Sequence, residues 1–240
     1  MRILIVSIVL ASAAVWASDR DDDYSEDRVL AVDSDGVELL DIDAGAGSLK
    51  IVGTESPDDG IVVLAVVRVD TDDEDKARDF IRKRLELTLD RDGDKARLVS
   101  RFNTGLRMWS PNGRIDLEVK LPKGTAINID DGSGSLVVDG VAGDLRIDDG
   151  SGSLRLGNVG NVEIDDGSGG IEVSNVTGDV LIDDGSGGMT VKSVAGNITI
   201  SDGSGGITVD DVRGDLTIEE EGSGSVHISN VDGVVTRNDE

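Results

Sequence analysis

The sequence predicts an all-β protein, a single-stranded β-solenoid (β-helix) with coils of about 18 residues and a small α+β insertion capping its N-terminal end. Three observations predict this class. A unit beginning Ile-Asp-Asp-Gly-Ser-Gly recurs, and its first glycines are Gly132, Gly150, Gly167, Gly185, Gly203 and Gly222. Apolar and polar residues alternate within each unit. Aromatic residues make up only 2% of the chain, against 32 glycines. Units of fixed period bury their apolar sides by stacking on one another, which defines a solenoid.

The alternation also predicts which side chains form the core. In the first unit the inward residues are Leu136, Val138, Val141, Leu145 and Ile147, and the same columns recur in later units. Because side chains of a strand alternate between its two faces, these columns should stack on the inner face at a strand spacing of about 4.8 Å.

Charge and composition divide the chain into five segments: a signal peptide (1–17), an acidic mobile arm (18–36), a leading coil plus insertion (37–124), solenoid repeats (125–236) and a tail (237–240). Arg2, the apolar run that follows it and the small residues up to Ala17 are typical of a secretory signal. We therefore expect cleavage near Ala17 and an exported protein, periplasmic or extracellular. The arm is rich in Asp, Glu and Ser, a composition that does not bury a core.

The leading coil has Asp43-Ala44-Gly45-Ala46-Gly47 where later units have Asp-Asp-Gly-Ser-Gly. The insertion that follows begins with a buried strand, Ile61–Val69. A capping box at Thr71 and Glu74 predicts a helix from about Asp72 to Arg84. Its buried residues should be Ala77, Phe80 and Ile81. Three further strands are predicted at Leu85–Leu89, Ala96–Phe102 and Ile115–Leu121. Trp109 is expected to pack against the insertion.

Two columns of aspartates are the strongest candidates for a binding site. One contains Asp130, Asp148, Asp165 and Asp183, and the next contains Asp131, Asp149, Asp166, Asp184 and Asp202. Carboxylates about 5 Å apart repel by roughly 1 kcal/mol in water and by about 3 kcal/mol at an effective dielectric constant near 20.

Two interpretations of these columns stay open. Calcium takes many oxygen ligands, and Asp130, Asp131, Asp148, Asp149, Asp165, Asp166, Asp183 and Asp184, with turn carbonyls and serines, could supply them. The alternative is ordinary turn chemistry, in which an Asp oxygen accepts backbone N–H groups and hydrated carboxylates fan outward. The units also resemble calcium-binding nine-residue rolls, but Leu136, Leu154, Ile171 or Met189 stands where those have Asp.

The remaining features exclude several function classes. A net charge of −26 argues against nucleic acid as a partner, since no basic surface can displace its counterions. No stretch after the signal approaches the length of about 18 apolar residues that a membrane span needs. His227 is the only histidine and should face solvent, in the same outward column as Arg155 and Glu172, which are predicted to pair across neighbouring coils. No catalytic constellation is recognisable, so we predict a protein that is not an enzyme.

The segments Glu118-Val-Lys-Leu-Pro-Lys-Gly124 and Ile127-Asn-Ile-Asp-Asp-Gly132, with the Val-x-Gly-Asp-Leu rhythm, resemble the bacterial putative-adhesin domain of unknown function. The resemblance covers Leu39 to Val235. It implies a β-solenoid, right-handed, on an exported or envelope protein, and it supplies no catalytic residues.

We therefore predict a structural or adhesin-like binding module of the cell envelope whose partner is an unknown protein or glycan. The alternatives are a calcium-binding solenoid stabilised on secretion, a self-assembling filament protein and a polysaccharide-active enzyme. The acidic Glu219-Glu220-Glu221 near the C-terminal end disfavours filaments.

Overall fold

The computed structural model describes residues 24–56, 60–103 and 111–238. The predicted signal peptide and Trp109 lie outside these residues. In chain order the elements are β1 (Tyr24–Val32), β2 (Leu39–Thr54), β3 (Ile61–Val69), α1 (Glu74–Arg84), β4 (Leu85–Asp92), β5 (Lys95–Phe102), β6 (Gly113–Pro122), β7 (Ala126–Asp139), β8 (Leu145–Asp149), β9 (Gly152–Val159), β10 (Val162–Asp166), β11 (Gly169–Val176), β12 (Val180–Asp184), β13 (Gly187–Val194), β14 (Ile198–Asp202), β15 (Gly205–Val212), β16 (Leu216–Glu220), β17 (Val226–Val231) and β18 (Val235–Arg237).

Each coil contains one short and one long strand. The short strands β8, β10, β12, β14 and β16 pair in parallel with one another, and so do the long strands β9, β11, β13, β15 and β17. The strand β7 is long enough to contribute to both stacks. This arrangement confirms the predicted β-solenoid of about 18-residue coils.

The core fills the space inside the coils. All five predicted inward residues of the first unit are buried, and the equivalent columns of the later coils up to Ile218 are at most 3% exposed. Burying one such aliphatic side chain contributes about 1.5–3 kcal/mol before chain entropy is subtracted, so the stacked columns hold the rod together.

The insertion closes the N-terminal end of the rod. The leading coil is confirmed, because β2 pairs in register with β7 and places Ile42 beside Ile129 and Leu49 beside Leu136. The other side of β2 pairs with β5 and β6, which are followed outward by antiparallel β4 and β3. Both edges of the first coil are therefore occupied.

The helix of the insertion begins two residues later than predicted. Its N-cap is Asp73, whose side chain accepts the amide of Lys76, while Thr71 accepts the amide of Asp73 instead of starting a capping box. The buried residues are Ala77, Phe80 and Ile81, as predicted. Phe80 stacks on Phe102 with ring centroids 5.1 Å apart, which ties the helix to β5.

The acidic arm also differs from the prediction. Residues 24–32 form strand β1, which pairs antiparallel with β3 from Tyr24 opposite Val69 to Val32 opposite Ile61. Along β1 every second side chain, from Tyr24 to Val32, is half-buried and the others are exposed. The free edge of the apolar strand β3 recruits this polar segment, an effect of long-range pairing that local composition does not reveal.

Candidate functional site

The two aspartate columns lie on opposite faces of the same sheet. The strands β7, β8, β10 and β12 continue straight through their Asp-Asp pairs before the chain turns, so alternation sends the first carboxylate outward and the second inward. In β14 the pair is Ser201-Asp202, and Asp202 takes the inward position. We call Asp130, Asp148, Asp165 and Asp183 the outer column and Asp131, Asp149, Asp166, Asp184 and Asp202 the inner column. The outer column is exposed, whereas every member of the inner column is at most 3% exposed.

The inner column is a continuous stack. Asp149 lies in register between Asp131 and Asp166, and the column continues through Asp184 to Asp202. Its N-terminal end is Ala44 of the leading coil, which faces Asp131.

Each inner carboxylate stabilises its own turn. The backbone amides of Ser151, Ser168, Ser186 and Ser204 donate to Oδ1 of the aspartate two residues earlier, over 3.0–3.2 Å. The predicted turn chemistry is thus confirmed for these four turns. The accompanying expectation that the carboxylates fan out into water is wrong for the inner column, because strand parity fixes it inside.

The second oxygen of the inner carboxylates is poorly satisfied. Oδ2 of Asp131, Asp184 and Asp202 has no hydrogen-bond partner among the described residues. The five aspartates of the inner column are the only buried charged residues in the described chain, and no lysine or arginine is buried beside them. A buried carboxylate without a countercharge is costly, and the usual response is to retain a proton.

The pKa values of the column are shifted accordingly. Burial, with the charges of Asp149 and Asp130, raises the pKa of Asp131 to about 7. Burial, with Asp149 and Asp184 on either side, raises the pKa of Asp166 to about 6. Burial is also the main cause that raises the pKa of the other three carboxyls, Asp149, Asp184 and Asp202. Part of the column can therefore hold protons near neutral pH.

The predicted calcium ligands are divided by this geometry. Asp148 and Asp149 project from opposite faces, so an adjacent pair does not chelate one ion, and an ion would lie between successive coils of a single column. Within residues 24–56, 60–103 and 111–238, no three acidic or histidine side chains converge in a way that could hold a metal ion.

The outer column borders a depression on the exposed side of the short strands, which we call the short-strand face. The depression has a volume of about 260 Å³. Leu181 in its lining is 45% exposed, a high value for a large apolar side chain in this protein. Arg146 and Glu163 form an ion pair on the same face. Asp148, Asp165 and Asp183 complete one side of the lining.

A third column, at the start of the short strands, was not recognised in the sequence. Asp144, Asn161, Asp179, Asn197 and Asp215 alternate between acid and amide along the rod. Asn161 donates to Asp144 over 2.8 Å, and the Asn197 side chain donates to Asp179 over 3.2 Å. The alternation is visible in each unit after a glycine, and it gives Asp144 and Asp179 a side-chain amide donor on the next coil instead of a second acid.

The long strands carry the other residues singled out in the sequence. His227 is exposed opposite Thr208, as predicted. Arg155 Nε lies 2.8 Å from Glu172 Oε2, and both side chains are more than half exposed. Such a pair contributes a few tenths of a kcal/mol.

No family model and no curated protein matches the sequence. Solved structures resemble the fold. A putative cell adhesion protein from Clostridium sporogenes is 17% identical, with a TM-score of 0.43 over 86% of this chain and 99% of that one. A putative adhesin from Parabacteroides merdae is 11% identical, with a TM-score of 0.31 over 90% and 96%. A putative lipid binding protein from Parabacteroides distasonis is 10% identical, with a TM-score of 0.30 over 90% and 97%.

Two of these three descriptions name adhesion. Likenesses of this degree identify no ligand or activity. The one helix in the described part of the chain, α1, is 11 residues long and too short to cross a membrane.

Proposed function

We propose that this protein is a non-enzymatic binding module, exported to the cell envelope or beyond it, that binds a partner through the short-strand face. The observation that carries the proposal is the depression around Leu181. Exposed apolar side chains scattered singly are normal, but here Leu181 lies in a concavity with charged groups around it. A rigid stack of coils supports the concavity from below, so little ordering is needed when a partner binds.

The charges of the face indicate the chemistry of the partner. Arg146 is engaged by Glu163, so the available charges along the depression are Glu219 and the three outer-column carboxylates Asp148, Asp165 and Asp183. These three carboxylates follow one another in register on successive strands, at a spacing of about 4.8 Å. They suit a protein segment with lysine or arginine side chains around an apolar residue.

A glycan partner is the weaker alternative. Sugar-binding surfaces commonly use aromatic side chains as platforms, and the short strands β8, β10, β12, β14 and β16 contain none. The lining also supports a binding role over catalysis, because it contains acids, one paired arginine, hydroxyls and aliphatic groups, without a nucleophile activated by a neighbouring base.

A second candidate role is stabilisation by calcium on secretion. One observation favours it: the Oδ2 atoms of Asp131, Asp184 and Asp202 are buried and have no hydrogen-bond partner within the described parts of the chain. A cation between two coils would neutralise the adjoining carboxylates and accept these oxygens as ligands. This role concerns the inner column and is independent of binding at the short-strand face.

Biolayer interferometry on the immobilised protein tests the binding role. The probes are a synthetic peptide of alternating Lys and Leu, a Glu/Leu peptide of the same length, and neutral and acidic oligosaccharides. We expect the Lys/Leu peptide alone to bind, with an affinity that falls as salt is added, since exposed charges are screened.

Leu181→Asp should weaken peptide binding at least tenfold, about 1.4 kcal/mol. The matched control Thr190→Asp adds the same charge on the outer face of β13 and should leave binding unchanged. Binding of an oligosaccharide without the peptide, or equal losses in both variants, would contradict the proposal.

A further inference from the structure

The C-terminal end of the rod is covered less completely than any other part of the core. The last coil repeats the apolar columns, with Ile228 in register with Val209 and Val235 in register with Leu216. Val209 and Leu216 are fully buried, but Val235 is 43% exposed and its neighbour Val234 is 66% exposed. Ile228 is only partly buried. Apolar surface of the solenoid interior is therefore open to solvent at this end.

Hydrogen-bonding groups are open there as well. Among the described strands, β17 pairs only with β15, and β18 pairs only with β16. Each of the two last strands thus presents one unpaired edge, which can pair with another strand.

The two edge strands lack the usual protection against such pairing. Natural edges are blunted by prolines, bulges or repeated charges. The strands β17 and β18 contain no proline and no carboxylate, and their ionisable side chains are His227 and Arg237, in a protein of net charge −26. Arg237 is ion-paired with Glu221, which lies before β17, so one carboxylate of the acidic run Glu219-Glu220-Glu221 is already neutralised at this end. Two such edges then approach each other with no carboxylate on β17 or β18 themselves.

The N-terminal end does not offer a matching edge. Both edges of β2 are taken, one by β7 and the other by β5 and β6. Beyond them the outer strands β1 and β4 pair antiparallel with their neighbours, so a parallel coil of another copy finds no continuation there. Head-to-tail stacking into a filament is therefore blocked by the cap.

We propose that two copies of this protein associate through their C-terminal ends, with β17 of one copy antiparallel to β17 of the other. A twofold axis perpendicular to the rod reverses the rod axis and brings identical edges together in antiparallel orientation. Antiparallel strands from separate chains pair without any crossover connection. The contact is isologous and closes at two copies. It covers Ile228 and Val235 of both copies in one step.

Analytical ultracentrifugation of the protein over a concentration series tests the proposal. We expect a reversible dimer and no larger species. Val235→Lys places a charge in each edge and should raise the dissociation constant at least tenfold. Val29→Lys is the matched control, because Val29 is 38% exposed on β1 at the opposite end and should leave the dimer intact.

Hydrogen exchange on the wild-type protein gives a second test, which is needed if Val235→Lys also destabilises the last coil. In the wild type, amides of β17 should exchange more slowly as the concentration rises, while those of β1 should not change. A protein that stays monomeric at the highest concentration, or one that forms longer assemblies, would overturn the proposal.

Discussion

Asp149 and Asp166 face each other in register on neighbouring coils, and each side chain is 2% exposed. One carboxylate oxygen of each aspartate accepts a hydrogen bond from the backbone amide of the serine two residues further along the chain. The inner column continues in the same way from Asp131 to Asp202, and no basic residue is buried against it in the described chain. Its ionisation therefore has to affect stability.

The first prediction concerns pH. The folded-state pKa values, about 7 for Asp131 and about 6 for Asp166, lie above the value of about 3.9 for an unfolded chain. The folded chain binds these protons more tightly, so the favourable contribution is complete below about pH 3.9 and is lost as the pH rises to 6 and then to 7. We expect the free energy of unfolding in urea to be higher at pH 5 than at pH 8 by about 4 kcal/mol, from about two pH units for Asp131 and one for Asp166 at about 1.4 kcal/mol per unit.

Amide variants identify the groups responsible. Asp166→Asn keeps an acceptor for the Ser168 amide and removes the titration, so it should raise stability at pH 8 and flatten the pH dependence. Asp165→Asn, on the exposed outer column, is the control and should change both much less, because the charge of Asp165 is the smallest of the causes that raise the pKa of Asp166. Stability that rises between pH 5 and pH 8 in the wild type would show that the column does not carry protons.

The second prediction concerns calcium. Protons and calcium would neutralise the same carboxylates, so we expect millimolar calcium to raise the thermal unfolding midpoint at pH 8 and to have little effect at pH 5. A ligand present at one hundred times its dissociation constant adds about 2.7 kcal/mol. The double variant Asp149→Asn, Asp166→Asn should remove the gain. Coincident curves in calcium and in chelator at pH 8 would exclude calcium from the column.

The third prediction concerns the turn glycines. Gly187 has φ +150°, and a Cβ there would lie 1.7 Å from the carbonyl oxygen of Gly169 on the preceding coil. Backbone cannot yield as a flexible side chain does, so Gly187→Ala should destabilise the protein by about 3 kcal/mol or more. The adjacent Gly188 has open space around it, and Gly188→Ala should be nearly neutral. Urea unfolding of the two variants decides the matter, and equal losses would contradict the coil spacing.

The fourth prediction concerns the alternating column. Asn197 donates its side-chain amide to Asp179 and accepts the backbone amide of Asp215. Asn197→Asp removes the donor and places three acids in succession, so we expect a loss of about 1 kcal/mol that shrinks at high salt. Asp179→Asn keeps an acceptor for the Asn197 amide and relieves charge, and it should be neutral or stabilising. A salt-independent loss for Asn197→Asp would contradict this interpretation.

Much of the fold can be predicted from the sequence because every unit repeats the same alternation of apolar and polar residues. Leu145, Ile147 and the columns above them follow strict alternation, and burial confirms them. The leading coil is equally legible, since Ala44 and Gly45 keep the frame of the Asp-Asp-Gly turn. Because the units repeat, the strand register predicted for one coil applies to all of them.

The candidate site is less legible for two physical reasons. Alternation continued beyond Ile147 places Asp149 on the inner face. Burying a carboxylate is costly, so the residue type predicts an exposed side chain, and the two signals conflict. Strand β1 depends on pairing with β3, a contact between Tyr24 and Val69 that no local pattern records. The depression around Leu181 requires five coils side by side.

Methyl NMR of the protein with the Lys/Leu peptide tests most directly whether the short-strand face is the binding surface. Leu181 and Thr199 report on that face, and Thr190 and Thr208 report on the long strands. We predict that the peptide shifts the methyl signals of Leu181 and Thr199 and leaves those of Thr190 and Thr208 in place. Shifts confined to the long strands, or no shift at saturating peptide, would contradict the proposed binding face.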